Sequence, residues 1–313
     1  MIMKKAAIVR IIIASIALVI LISILIVGLT GEGFRMFRFK FGGFSNYSYA
    51  DSDLYNVGDA SISTEGINEL DINWIEGSVK VITHSGSEIS IFESNAGKFN
   101  EDEKLRYLVK DGVLYIKYCA PRQLFTFGRL ISYVKNLTVY IPEGETVLLR
   151  TLTVDTVSAD VIINDIYADE IKLNCVSGDI KGDLSGTIEK LTAKTVSGNI
   201  NIKAASDTVN FTSISGDIIY NGGASDIDCN NVSGNVKVET DICPSRANLK
   251  TVSGNIVMSI PENKGFTASY SVVSGDFNTS FATVNSKKQA VYGDGSAEFN
   301  LKAVSGNITI KRK

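Results

Sequence analysis

Residues 195–200 read TVSGNI, and close variants return along the chain: CVSGDI at 175–180, SISGDI at 213–218, NVSGNV at 231–236, TVSGNI at 251–256, VVSGDF at 272–277 and AVSGNI at 303–308. A degenerate copy, TVSADV, precedes them at 156–161. The serines fall at Ser158, Ser177, Ser197, Ser215, Ser233, Ser253, Ser274 and Ser305, with intervals of 19, 20, 18, 18, 20, 21 and 31 residues. A period near 20 is the mark of a solenoid, whose repeats bury their apolar faces only by stacking on one another.

Aligned on the serine, the columns describe one coil. Six residues before it stand Leu152, Ile171, Leu191, Val209, Ile227, Ala247, Ala268 and Phe299. Four before it stand Val154, Leu173, Ala193, Phe211, Cys229, Leu249, Tyr270 and Leu301. Directly before the serine every copy has Val or Ile, and three residues after it every copy has Val, Ile or Phe. A flat strand keeps one parity of inward side chains. Here the apolar parity changes across the motif, so each repeat is strand, corner, strand. Glycine supplies the crowded corner. The expected corners are Ser177-Gly178, Ser197-Gly198, Ser215-Gly216, Ser233-Gly234, Ser253-Gly254, Ser274-Gly275 and Ser305-Gly306. The fold class is therefore all-β, a parallel β-solenoid of about eight coils. At roughly 4.8 Å per coil it makes a prism about 38 Å long.

Two residues after each serine the column reads Asp160, Asp179, Asn199, Asp217, Asn235, Asn255, Asp276, Asn307. Short polar side chains bond to backbone at corners. The competing reading is a calcium ladder, which needs several carboxylates per site. With Asn diluting the Asp, corner chemistry is favoured and no metal site is expected. The last interval carries about 11 extra residues near Ala282 to Ala297. Two readings stay open for them: a cap protecting the end strand, which is favoured, or a protruding binding loop.

Outward from the repeats, residues 61–150 hold alternating runs such as INELDINW, GSVKVIT, SEISIFE, VLYIKY and NLTVYI, separated by glycines. Period-2 alternation of this kind reads as half-buried strands. Residues 61–150 thus form an N-terminal β region joined to the solenoid at 151–313.

The N-terminus differs. Residues 11–30, IIIASIALVILISILIVGLT, carry no charge, and Arg10 is the only charged residue from Ala6 to Gly31. Such a run matches a hydrocarbon core about 30 Å thick. A cleaved signal peptide would have a shorter apolar run ending in a small-residue site, so residues 1–30 read as an uncleaved signal-anchor helix. Lys4, Lys5 and Arg10 before it, against Arg35, Arg38 and Lys40 after it, slightly favour a cytoplasmic N-terminus. The C-terminal domain is then extracytoplasmic, tethered to the cytoplasmic membrane by a single pass. Residues 31–60 form a linker opening on Phe34, Arg35, Phe37, Arg38, Phe39, Lys40 and Phe41. Aromatic and basic side chains favour the headgroup layer. They read as membrane-interface candidates; the sharper alternative is a surface for an anionic envelope polymer or lipid.

Composition removes other classes. The net charge is −3, with 31 Lys and Arg against 34 Asp and Glu, which excludes bulk binding of nucleic acid. One histidine, His84, and four cysteines without a CxxC leave no zinc site. No recurrent acid–base pair accompanies the Asp/Asn column, so a polysaccharide-active β-helix enzyme is the least favoured reading. No cofactor is expected.

The VSG[DN] copies, with SIPENKGFTASYSVVSGDF and YGDGSAEFNLKAVSGNITI near the end and GINELDINWIEGSVKVITHSGSEISIFE at the start, resemble the bacterial "putative adhesin" family, the DUF4097 domain, over roughly Ser61 to Lys313. The resemblance implies a β-solenoid-like domain associated with the bacterial envelope, in some members linked to envelope stress and antimicrobial-peptide sensing, and carries over no catalytic residue. The expected function is a non-enzymatic, membrane-anchored binding, sensing or adhesin-like module. Its expected partners are the membrane and an envelope polymer, a cationic peptide or a membrane regulator protein. The alternative is a scaffold assembling end to end through solenoid edges.

Overall fold

The computed structural model describes residues 46–94, 99–123, 125–126, 129–130, 133–143 and 149–313. The expected membrane helix at 1–30 and the collar from Phe34 to Phe41 lie outside the described residues. Among those described, no helix is long and apolar enough to cross a membrane. The domain is all-β, with 3-10 turns at Ser52–Leu54 and Glu101–Glu103.

The repeats stack in parallel and in register. Ser177 lies beside Ser197, Ser197 beside Ser215, Ser215 beside Ser233 and Ser233 beside Ser253. Each coil has a first arm ending at the serine and a second arm starting three residues later, as in Arg246–Ser253 and Ile256–Ile260. The columns six before, four before and three after the serine are fully buried through the middle of the stack, from Leu152, Val154 and Val161 to Ala247, Leu249 and Ile256. Burying these side chains is the main stabilisation, at roughly 25 cal/mol per Å² of apolar surface.

One column reading is corrected. The Val/Ile directly before the serine does not complete the core. Val196 and Ile214 are buried, but Val157, Val176, Val232 and Val252 are half-buried, and exposure reaches 41% at Val304 and 78% at Val273. The inward position is one residue earlier, at Thr156, Cys175, Thr195, Ser213, Asn231, Thr251 and Ala303, all buried. Most of these are polar, for a reason the corner supplies. Thr156 donates to Ala159 O at 3.1 Å, Asn231 to Gly216 O at 2.8 Å and Thr251 to Gly234 O at 3.1 Å. A small donor under the corner satisfies a carbonyl that the interrupted ladder leaves over.

The stack does not follow chain order at either end. Ser253 pairs with Ser305, and Ser305 with Ser274. The chain passes over one layer with Gly265–Ser274, turns, and returns to fill the gap with Ala297–Ser305. The extra residues of the last interval form a hairpin. Gln289–Gly293 lies antiparallel on the Gly265–Ser269 stretch, and Val284–Ser286 lies on Gln289–Gly293. The favoured cap reading thus accounts for them, over half of one arm.

The N-terminal end uses the same device. Glu69–His84 forms a complete coil beneath the Leu149–Asn164 strand that carries Ser158. The layer below it comes from Val113–Lys117 and Lys135–Pro142, both parallel to Glu69–His84. Antiparallel strands then close both arms: Arg106–Lys110 and Asn56–Val57 on one, Glu88–Ser94 and Ala60–Ser63 on the other.

Candidate functional site

Three clusters of polar or aromatic groups stand out among the described residues: the corner column, a buried ion pair in the N-terminal cap, and a shallow groove on that cap.

The corners bring the sequence-identified pairs Ser177-Gly178 through Ser305-Gly306 into single file. A Cβ built on Gly216 would lie 2.0 Å from Gly198 O, and one on Gly254 2.1 Å from Gly234 O. Only a residue without Cβ allows this approach. The degenerate copy escapes because Leu149–Asn164 runs through its corner as one strand, with Ala159 paired to Gly77. The Asp/Asn column forms a ladder. Backbone N–H groups of Asp179, Asn199, Asp217, Asn235, Asn255 and Asn307 donate to Oδ1 of Asp160, Asp179, Asn199, Asp217, Asn235 and Asn255, at 2.7–3.0 Å. Asp276 N–H donates to Asn307 Oδ1 at 2.9 Å. The N–H of Asn199 holds the Asp179 carboxyl below its usual range. These side chains spend one oxygen per coil on backbone. Among the described residues no group of three or more His, Cys, Asp or Glu is placed to hold a metal ion.

The ion pair was not visible in the sequence. Lys135 is fully buried, with Nζ 2.5 Å from Glu93 Oε1 and 2.6 Å from Glu103 O. Its ammonium lies 4.1 Å from the Tyr118 ring centroid, 4.9 Å from Trp74 and 5.2 Å from Phe99. Trp74 Nε1 donates to Lys135 O at 2.9 Å. Burial lowers the Lys135 pKa and raises that of Glu93, each opposed by the other's charge. The arrangement is a cation in an aromatic cage with its bonds satisfied, which suits a fixed cap joint. The cysteines are free, and burial pushes Cys119 and Cys175 up to about 11. A thiol at that value is a poor nucleophile at neutral pH.

The groove lies on the outer face of the second arm, a depression of about 730 Å³ lined by Asp59, Ala60, Ser61, His84, Ser90, Ile91, Phe92 and Tyr140. Strand pairing sets Phe92 beside Thr138, and Tyr140 between Ser90 and Ile82. Phe92 is 49% exposed. The His84 ring stands edge-on to Tyr140, with centroids 5.7 Å apart. Gly86 N–H donates to His84 Nδ1 at 3.3 Å, so Nε2 carries the proton and donates to Glu88 O at 2.8 Å. With both nitrogens occupied, His84 shapes the groove and is not placed as an acid or base. Asp59 Oδ1 accepts from Glu93 N–H at 2.8 Å, and the Ser61 and Ser90 hydroxyls are 3.5 Å apart. The exposed Phe92 ring and the half-buried Tyr140 ring beside hydroxyls and one carboxylate suit adsorption of a ligand. The sequence signal for the groove was thin: Phe92 and Tyr140 sit at polar-face positions of SEISIFE and NLTVYI.

No curated protein matches the chain. Among solved structures, it is similar to a "putative cell adhesion protein" from Clostridium sporogenes (16% identity, 83% of this chain, 100% of that one, TM-score 0.27). It is also similar to a "putative adhesin" from Bacteroides fragilis (15%, 82% and 97%, TM-score 0.42) and a "putative lipid binding protein" from Parabacteroides distasonis (18%, 83% and 96%, TM-score 0.44). The model of the family described as Toastrack DUF4097 matches residues 67–311, and the chain belongs to that family.

Proposed function

We propose that this chain is a non-enzymatic binding module, tethered by residues 1–30 to the cytoplasmic membrane, its β domain facing outward and engaging envelope material. The observation that carries the reading is the Phe92–Tyr140 groove. It sits on the N-terminal cap, the end from which the chain leads back toward the anchor. Asn46–Tyr47 is paired there with Arg122–Gln123, Tyr118 N–H donates to Tyr47 Oη at 3.0 Å, and Tyr49 Oη donates to Cys119 O at 2.9 Å. A ligand in the groove would therefore lie on the same cap as Asn46–Tyr47.

The test uses the full chain in detergent micelles, titrated with wall polymer, anionic vesicles and a cationic peptide. At least one binds, and Phe92→Ala weakens it about tenfold, some 1.4 kcal/mol. Binding of none, or binding untouched by Phe92→Ala, overturns the reading. For topology, Cys119 is too buried to label, so a cysteine at exposed Glu65 is the probe. Its labelling in intact cells is expected; protection until lysis overturns the outward orientation. The second reading, assembly through solenoid ends, is favoured by the uncovered terminal coil and takes the specific form argued next.

A further inference from the structure

The coil made by Gly265–Ser274 and Phe277–Thr279 is the outermost parallel layer at the C-terminal end. On its inner side lie Ala297–Ser305 and Ile308–Arg312. On its outer side Gln289–Gly293 covers residues 265–269, and Lys288 O accepts Tyr270 N–H at 3.0 Å. From Ser271 to Thr279 no strand of the described residues lies outside, so both arms present a free β edge around the corner.

Three features distinguish this coil from the inner ones. The Asp/Asn ladder ends at Asp276, with no further coil to donate to its carboxylate. Tyr270 and Phe277, whose counterparts Leu301 and Ile308 are fully buried, remain half-buried; their rings stack 3.9 Å apart at 4°. Val273 is 78% exposed.

The shape of the gap indicates its occupant. The hairpin reaches Tyr270 through Lys288 O, leaving Ser271 to Ser274 of the first arm uncovered beside the short second arm, Phe277–Thr279. Rotation by 180° about a line in the coil plane that bisects the corner lays the outgoing arm of one copy along the incoming arm of another. The two arms then run antiparallel and fill each other's gap. In that register Val273 faces Phe277 of the second copy, Ser271 faces its Thr279, and the two Tyr270–Phe277 stacks meet. The stretch from Tyr270 to Ser280 carries one charge, Asp276, so the pairing brings two carboxylates near the axis, each facing Ser274 of the other copy. The other end carries antiparallel strands on both arms, Arg106–Lys110 and Glu88–Ser94, and so does not repeat this bare parallel corner. An isologous contact closes at two copies.

We propose that two copies of this chain pair edge to edge through this open coil, antiparallel about a two-fold axis at Gly275. The pairing stands independently of the groove and of what the groove binds.

Sedimentation of the full chain in detergent is the first test: a concentration-dependent dimer is expected, and a monomer at every concentration overturns the proposal. The second is a nitroxide distance measurement in a Cys243→Ser background, where the remaining thiols are buried. A label at Lys302→Cys, exposed and one coil back from the edge, should find its counterpart at about 25 Å, from strand spacing and rise. A label at Glu65→Cys, at the closed end, should show no short distance. The reverse pattern assigns assembly to the other end and overturns the proposal. Val273→Lys, at a site too exposed to affect the core, should raise the dimer dissociation constant at least tenfold with an unchanged melting temperature. Unchanged dimerisation in that variant likewise overturns it.

Discussion

The two ends of this solenoid are built by one device and finished differently. At both, the chain overshoots a layer and later returns to fill it: Lys135–Pro142 slips between Glu69–His84 and Glu88–Ser94, and Ala297–Ser305 between Arg246–Ser253 and Gly265–Ser274. At the N-terminal end antiparallel strands then cover both arms, and Lys135–Glu93 fastens the inserted layer under Trp74 and Tyr118. At the C-terminal end a hairpin covers half of one arm, and an all-carbon plug does the fastening. Phe281 packs on Phe266, with centroids 5.2 Å apart, and Phe266 on Phe299 at 5.0 Å. The difference teaches that closing a parallel stack takes an antiparallel strand on each arm. Where one is withheld, the last coil keeps its coil-to-coil chemistry available.

The largest expected effect breaks the closed end. Lys135→Ala leaves Glu93 buried without its cation, and removing one partner of a buried pair costs about 3–5 kcal/mol. Amide exchange should rise across residues 88–143 while the corners from Ser197 to Ser253 stay protected; uniform loss would mean the cap and stack unfold as one unit. The double variant Lys135→Met with Glu93→Leu should recover most of the loss, because neither charge is then stranded.

Next comes a break in the middle. Gly216→Ala places a methyl 2.0 Å from Gly198 O, a backbone atom that cannot step aside. A cost on the order of 3 kcal/mol is expected from thermal unfolding. Ala159, in a continuous strand, is the natural control: Ala159→Gly should change stability far less.

The smallest effect sharpens the ladder reading. The N–H of Asn199 depresses the Asp179 pKa, so folding contributes stability that is present above the usual carboxylate value and lost as pH falls through the depressed one. Asp179→Asn, matching its neighbour Asn199 in the column, should leave neutral stability within about 0.5 kcal/mol and flatten the loss below pH 4. A variant as acid-sensitive as the parent would remove the ladder from the explanation.

Much of the coil was legible because spacing and parity are local. The corners at Ser177 to Ser305 and the inward columns were set by alternation alone. The misreading at the corner was physical in origin. Thr156, Asn231 and Thr251 look like surface residues, yet a broken ladder needs buried donors, and a Val next to a corner need not face inward. Lys135 and Glu93 carried no signal, since residues 42 positions apart become a pair only through the inserted layer. The Phe92–Tyr140 groove depended on the same insertion, which sets Glu88–Ser94 beside Lys135–Pro142.

The sequence by itself determined the repeat unit: two strands and a glycine corner, in a chain that buries its core only by stacking, because these follow from side-chain period and the absence of a Cβ. Only the tertiary structure decided the stacking order and the state of each end. The Ser253, Ser274 and Ser305 coils carry nearly the same edge, so any of them can sit on another. What selects the order 253, 305, 274 is non-local: a hairpin and a phenylalanine plug that fit one arrangement, and an edge from Ser271 to Thr279 that this arrangement leaves bare.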